Sequence, residues 1–362
     1  SMDCTWKPNW EETKRHFVDW WHGEGMVLGS WGPVPGDQPR EPTADPGRPA
    51  DATQYYTDPQ WRSLSNHYAL ARARFPADVL AMANCDMGPG SLALYVGSEP
   101  GFDEGTVWYY PIMEEDEHPE ERPPIHFDPE SNWWQVTEEM LRRSVELADR
   151  NYMVGCPDLI ENIDTLASLR GTQRLLLDMV ERPAWIERKL EEINQAWFEA
   201  YDRIYDIIKL EDGSSAWRAF SIWGPGKTAK VQCDASAMFS PAMFERFVVP
   251  PLARQCEWLD YSMFHLDGHQ CMPHLDLLLA IASLDAIEWT PDPQVPSGGS
   301  PEWYAMYRRI LGAGKAVQAI GVAHEEIVPL LDAVGPEGLY IMTEFADAAE
   351  AEEVLRMVEP YR

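Results

Sequence analysis

From Asn151 to the C-terminus, short apolar runs rich in Val, Ile and Phe alternate with longer amphipathic stretches. Two parallel strands cannot be joined by a tight turn, because the chain must first travel back to its starting end. This alternation therefore predicts parallel strands with crossover helices. The expected strands are Asn151–Cys156, Ala229–Asp234, Ser262–Leu266, Asp285–Trp289, Lys315–Gly321 and Leu339–Thr343, and two earlier runs, Met26–Trp31 and Val79–Asn84, bring the count to eight. Eight such strands predict an α/β chain folded as a TIM-type (β/α)8 barrel in a single domain. Residues 76–362 would form the main barrel, and residues 1–75 an N-terminal extension with a Pro-rich excursion.

Helix signals fall between these strands. Ser240-Pro241 and Ser300-Pro301 carry the N-cap then Pro order, opening helices toward Tyr261 and Gly312, and Pro183–Leu210 places Ile186, Leu190, Ile193, Trp197 and Ile204 on one face. Residues 33–60 hold seven prolines in 28 positions, too many for helix or central strand, and residues 111–132 are similar but more acidic. Both are expected as surface loops. The apolar piece Phe220–Trp223 is surplus to eight strands and is expected as a loop over the barrel mouth.

A formal net charge of −31 repels phosphate backbones and anionic membranes, which excludes nucleic acid as a partner. No apolar run approaches the ~20 residues needed to span a bilayer. Six cysteines without a CxxC pair suit a reducing compartment, so a cytoplasmic protein is expected. The oligomeric state is left open.

In a barrel, reactive side chains gather at the C-terminal strand ends. There the sequence puts Asp158, Asp234, His265 with Asp267 and His269, Glu288 with Trp289, His324, and Glu344. Residues two apart in a strand share a face, so His265 and Asp267 can converge, either on a metal or on each other. Glu344 would supply a third ligand, and one His with two carboxylates suits a divalent cation such as Zn, Mn or Fe. Asp234, Glu288 and His269 are the candidate catalytic groups. Asp158, Trp223, Trp289 and His324 are candidate contacts to a small-molecule substrate, the tryptophans as walls. Glu161 and Asp164 lie beside Asp158 and would share a face if helical.

The stretches VQCDASAMFSPAMFERFVVPPL (231–252), FHLDGHQCMPHLDLLLAIASLDAIEW (264–289) and GKAVQAIGV (314–322) resemble the uroporphyrinogen decarboxylase superfamily over about residues 150–360. The resemblance implies a single-domain TIM barrel. It also implies one of two activities, tetrapyrrole decarboxylation or zinc-dependent methyl transfer with a corrinoid protein as partner. True decarboxylases carry an early Arg-Gln-Ala-Gly-Arg-Tyr signature; here Gly29–Pro33 has no arginine, and their late Gly-His-Gly is replaced by Thr343-Glu344-Phe345, which disfavours that branch. In the methyltransferases a His-x-Cys and a later Cys hold zinc. By position these fall on His265, Asp267 and Glu344, so both thiolates have become carboxylates, which favours harder metals. The resemblance thus implies a metal-dependent, methyltransferase-like enzyme. Its rivals are an acid/base enzyme acting on a sugar or sugar acid and a binding protein without catalysis.

Overall fold

In the computed structural model, which describes residues 3–362, the chain is an α/β fold built on a six-stranded parallel sheet. The strands that organise the site are β1 (Val27–Ser30), β2 (Met82–Ala83), β3 (Met153–Val154), β4 (Ser215–Trp217), β5 (Ile222–Gly224), β6 (Thr228–Gln232), β7 (Tyr261–Asp267), β8 (Ala286–Thr290), β9 (Ala316–Ala319) and β10 (Leu339–Thr343). The sheet order is β1-β10-β9-β8-β7-β6. From β6 to β10 the chain adds each strand beside the last, and β1 lies against β10. Thus the first 75 residues contribute a strand of the sheet. β2 and β3 pair in parallel with each other, and Cys156 bridges in parallel to Trp217 at the end of β4.

The two faces of the sheet differ chemically, because side chains alternate along each strand. One face carries Val231, Phe264, Leu266, Ile287, Trp289, Val317 and Ile341, all buried. Trp289 packs on Trp303, just before the helix Tyr304–Gly312. The other face carries a polar row in a single register, Gln232, His265, Glu288, Gln318 and Tyr340, each paired with the next across neighbouring strands. Every member of this row is buried, so each needs a partner on that face.

Part of that partnership comes from the β4–β5 hairpin. Phe220 O accepts from Gln318 Nε2 at 2.8 Å and Ser221 O from the Tyr340 hydroxyl at 2.7 Å. The expectation of a loop over the mouth is corrected here. Phe220–Trp223 lies against the polar face, and Ile222–Gly224 is a buried antiparallel strand. At its far end Trp223 meets the N-terminal helix Trp10–Trp21, edge-on to Trp10 at 5.4 Å, with Trp223 O accepting from Trp21 Nε1.

The helices follow their sequence signals with one irregularity. Pro183–Ile208 buries Ile186, Leu190, Ile193, Trp197 and Ile204. The Ser240-Pro241 helix is capped by Ser240 Oγ but passes through a π-helical turn, Phe244–Val248, before Val249–Trp258. Pro250 and Pro251 supply no N–H to the preceding turn, so regular bonding is broken there. Residues 33–50 lack helix, and the helix Ala52–Thr57 begins where Asp51 caps Gln54 N. Among the described residues no helix is long and apolar enough to cross a membrane.

Candidate metal centre

His265 lies between Gln232 and Glu288 in the polar row, and its two ring nitrogens face different surroundings. Nδ1 contacts the Glu288 carboxylate, which is fully buried on the adjacent strand; the other Glu288 oxygen accepts from the Thr290 hydroxyl at 2.6 Å. A carboxylate can only accept, so Nδ1 carries the proton and Nε2 is left to face outward. Nε2 lies 3.7 Å from Asp234 Oδ1 and 4.0 Å from Asp267 Oδ1. One ligand atom from each of these three residues falls within 4.8 Å of the others, the sole such grouping among the described residues.

Asp234 and Asp267 arrive by different routes. Asp267 ends β7, two residues after His265 and so on the same face. The chain then turns at Gly268 (φ +83°), where a Cβ would meet Asp292 Oδ1 at 2.5 Å. Asp234 follows the end of β6 and is held by Asp164, whose carboxylate accepts from Asp234 N (2.8 Å), Ala235 N (2.9 Å) and Gln232 Nε2 (2.9 Å). Those bonds draw the chain out of the sheet into the short turn Asp234–Met238, which is why β6 ends two residues before the expected Asp234.

The charges around this point are unbalanced. Asp234 is pushed up to about 7 by burial and the nearby Asp164, against the pull of His265, and Asp267 adds to the rise. His265 is disfavoured as a cation by its burial, but Glu288 and Asp234 outweigh that and raise it above its ordinary value. Asp234 Oδ1, the atom facing Nε2, is buried without a hydrogen-bond partner. The residues therefore fit a bound cation. Two carboxylates and an imidazole lone pair converge, one oxygen lacks a partner, and Glu288 orients the histidine as outer carboxylates do in metalloproteins. The donor set is hard to borderline, and no thiol joins it.

Deeper in the same face lies a second polar group. Lys230, fully buried in β6, pairs with Asp158 Oδ1 at 2.8 Å and contacts Gln232. Asp158 N donates to Asp86 at 2.8 Å. Glu161, also fully buried, accepts from Gln232 N at 3.2 Å and Gln255 Nε2 at 3.4 Å. Glu161 precedes the helix Asn162–Arg170 and Asp164 lies in its first turn, so both brace β6.

Of the residues read as a metal set, His265 and Asp267 are brought together, and Glu344 is corrected. It belongs to a cleft of about 470 Å³ with Trp31, Val322, His324, Thr343 and Glu350, where Glu344 O accepts from His324 Nε2 at 2.6 Å. Of the expected catalytic groups, Asp234 is the third member of the cluster with His265 and Asp267, Glu288 holds His265 from behind, and His269 is exposed with Nδ1 3.8 Å from Asp292. Trp223 and Trp289 are corrected as substrate walls. Trp223 packs on the N-terminal helix, and strand alternation turns Trp289 to the face opposite Glu288. The aromatic rings nearest the cluster are instead Phe220, 4.7 Å from the His265 ring, and the 41%-exposed Trp31 at 5.6 Å from Phe220. Lys230, Asp86, Phe220 and Arg218 were not singled out from the sequence. A lone cation inside the apolar run AKVQCD was the signal for Lys230, and Asp86 closes the Val79–Asn84 run as the other strand-end acids close theirs.

No protein-family model matches the chain, and no curated protein matches it in sequence.

Proposed function

We propose that this chain is a divalent-metal-dependent enzyme on a (β/α)8 barrel, with Asp234, His265 and Asp267 holding the cation and a small molecule bound beside it. The observation that carries the reading is His265, with Nδ1 fixed by Glu288 and Nε2 facing two carboxylates, one with a buried unpartnered oxygen. Closure into a barrel is supported by the placement of β1 against β10 and by the separate parallel β2–β3 pair, which brings the parallel strands to eight.

A cation in this position acts as a Lewis acid and lowers the pKa of a hydroxyl, thiol or water bound to it. Glu288 keeps the His265 proton on Nδ1, so the lone pair stays on Nε2. Asp164 fixes the backbone of Asp234, and the Phe220 ring covers one side of the imidazole and limits water there. We further propose methyl transfer as the reaction, on the resemblance to the corrinoid-linked methyltransferases. The hard ligand set favours an oxygen acceptor over the thiol those enzymes activate.

Metal analysis of purified protein tests the centre. One equivalent of Zn, Mn or Fe is expected, lost in His265→Ala and Asp267→Ala and retained in Glu344→Gln. No stoichiometric metal in the wild type, or full content in His265→Ala, overturns it. Demethylation of a methylated corrinoid by the loaded enzyme with a hydroxyl or thiol acceptor tests the reaction. Activity on sugars or sugar acids alone would replace methyl transfer with acid/base chemistry at the same residues.

A further inference from the structure

The Arg218 guanidinium, just past β4, has no carboxylate within ion-pair distance. Among the described residues, six arginines form neither an ion pair within 4 Å nor a side-chain hydrogen bond: Arg15, Arg48, Arg174, Arg188, Arg218 and Arg356. All are exposed except Arg218. The buried Nε of Arg218 has no partner. In a chain with 60 acids against 29 bases, a half-buried guanidinium without a carboxylate against it is the reverse of what composition favours. Leaving such a donor unsatisfied is costly unless something outside the chain completes it.

Its position ties it to the metal centre. Arg218 directly follows β4, where Trp217 bridges to Cys156, so it leaves the sheet at the end from which Asp158 also emerges. Asp86 feels its charge together with that of Arg62, and from Asp86 the polar contacts run through Asp158 to Lys230. Two residues on, Phe220 places its ring on His265. The backbone at this turn is strained, with left-handed φ at Phe220 (65°) and Ser221 (51°), a conformation that bulky residues adopt only when the surroundings enforce it. Here Gln318 and Tyr340 enforce it by bonding both carbonyls. The hairpin thus holds a ring over His265 and the Arg218 guanidinium, two residues apart, in a fixed relation.

We propose that Arg218 is the anchor for a single carboxylate on the substrate, whose hydroxyl or thiol end reaches the Asp234–His265–Asp267 centre. The guanidinium fork matches a carboxylate in plane and spacing. One charge is specified because the other buried cations nearby are engaged: Lys230 is paired with Asp158, and Arg62 donates to Tyr55 O and lies over the Tyr55 ring. A second carboxylate would face Asp86, Asp234 and Asp267, and the charge of the proposed divalent cation there is already matched by Asp234 and Asp267. The substrate class is therefore a small hydroxy- or mercapto-monocarboxylate.

This inference rests on the proposed metal centre for the role of the far end of the substrate, but the anchor is testable apart from it. Calorimetric titration of glycolate, lactate, 3-hydroxypropionate, 4-hydroxybutyrate and 3-mercaptopropionate, each against its neutral amide, is run on metal-loaded and chelated protein. At least one acid is expected to bind tenfold or more tighter than its amide. That preference should vanish in Arg218→Gln, return in part in Arg218→Lys, and leave metal content unchanged in both. Equal affinity for acids and amides, or an undiminished preference in Arg218→Gln, overturns the anchor. A preference that depends on Arg218 in a protein that holds no metal would overturn the centre and keep the anchor.

Discussion

Glu161 offers the sharpest test of the electrostatics beneath the site. Its carboxyl is fully buried, and burial pushes it up to about 8 from an ordinary 4.5; Lys230 opposes the rise, and Asp158 and Asp164 add to it. Between those two values the folded protein keeps a proton that the unfolded chain has shed. Stability must therefore fall as pH rises through this window, with the full loss reached above pH 8. At ~1.4 kcal/mol per pH unit, the cost is about 3 kcal/mol at pH 7 and about 5 kcal/mol above pH 8. Glu161→Gln removes the titration and keeps the shape. The amide oxygen can still accept from Gln232 N, and its N–H can reach Gln255 Oε1, which has no partner. The variant should equal the wild type near pH 5 and exceed it by about 2–4 kcal/mol at pH 8. With a urea dependence of about 3 kcal/mol per molar, the midpoint moves up by roughly 1 M. Urea unfolding of chelated protein from pH 5 to 8 measures it. Asp86, Asp234 and Asp285 are also raised, to about 6, 7 and 6, so both proteins lose stability with pH and the difference curve isolates Glu161. A difference that stays flat from pH 5 to 8 refutes the reasoning.

Glu288→Gln should lower metal affinity about 10- to 100-fold, because the amide leaves His265 free to change tautomer and orientation, as loss of an outer-shell partner does elsewhere; competition with a chromogenic chelator reads it. Metal affinity should also fall as pH drops below about 7, since Asp234, about 7, and the raised His265 must both release protons to bind. The expected slope approaches tenfold per pH unit per proton released, and a pH-independent affinity would count against both as ligands. Trp289→Ala should destabilise by about 3–5 kcal/mol through the cavity it leaves, with metal stoichiometry intact in the folded fraction.

The parallel order from β6 to β10 was legible because each strand is a short apolar run followed by a longer amphipathic stretch, and Leu339–Thr343 falls where the pattern puts it. Two things were not. The Phe220–Trp223 segment reads as one more apolar scrap, since nothing local tells a chain that it will pair antiparallel with Ser215–Trp217 and lie against the polar row. Trp289 beside Glu288 reads as a site pair, yet alternation puts adjacent strand residues on opposite faces. That rule made His265 and Asp267 legible and would have excluded Trp289.

The exchange of Glu344 for Asp234 follows from neighbour distances. β6 and β7 are hydrogen-bonded neighbours, so the side chains leaving their ends start about 4.8 Å apart, within reach of one cation. β10 stands three steps from β7 in the sheet order, and Glu344, exposed beyond its end, lines the cleft with His324 and Glu350. Strand order is itself implied by the chain: consecutive β/α units lie side by side, so the strand before His265 is a better source of a ligand than one three units later. What the sequence could not reveal is that β6 would stop short of Asp234. That depends on Asp164, 70 residues earlier, accepting from Asp234 N and Ala235 N and turning the carboxylate toward the histidine. The ligand set is thus decided by a backbone-to-side-chain contact remote in sequence, and Asp164→Ala should release Asp234 from the centre even though Asp164 touches neither His265 nor Asp267.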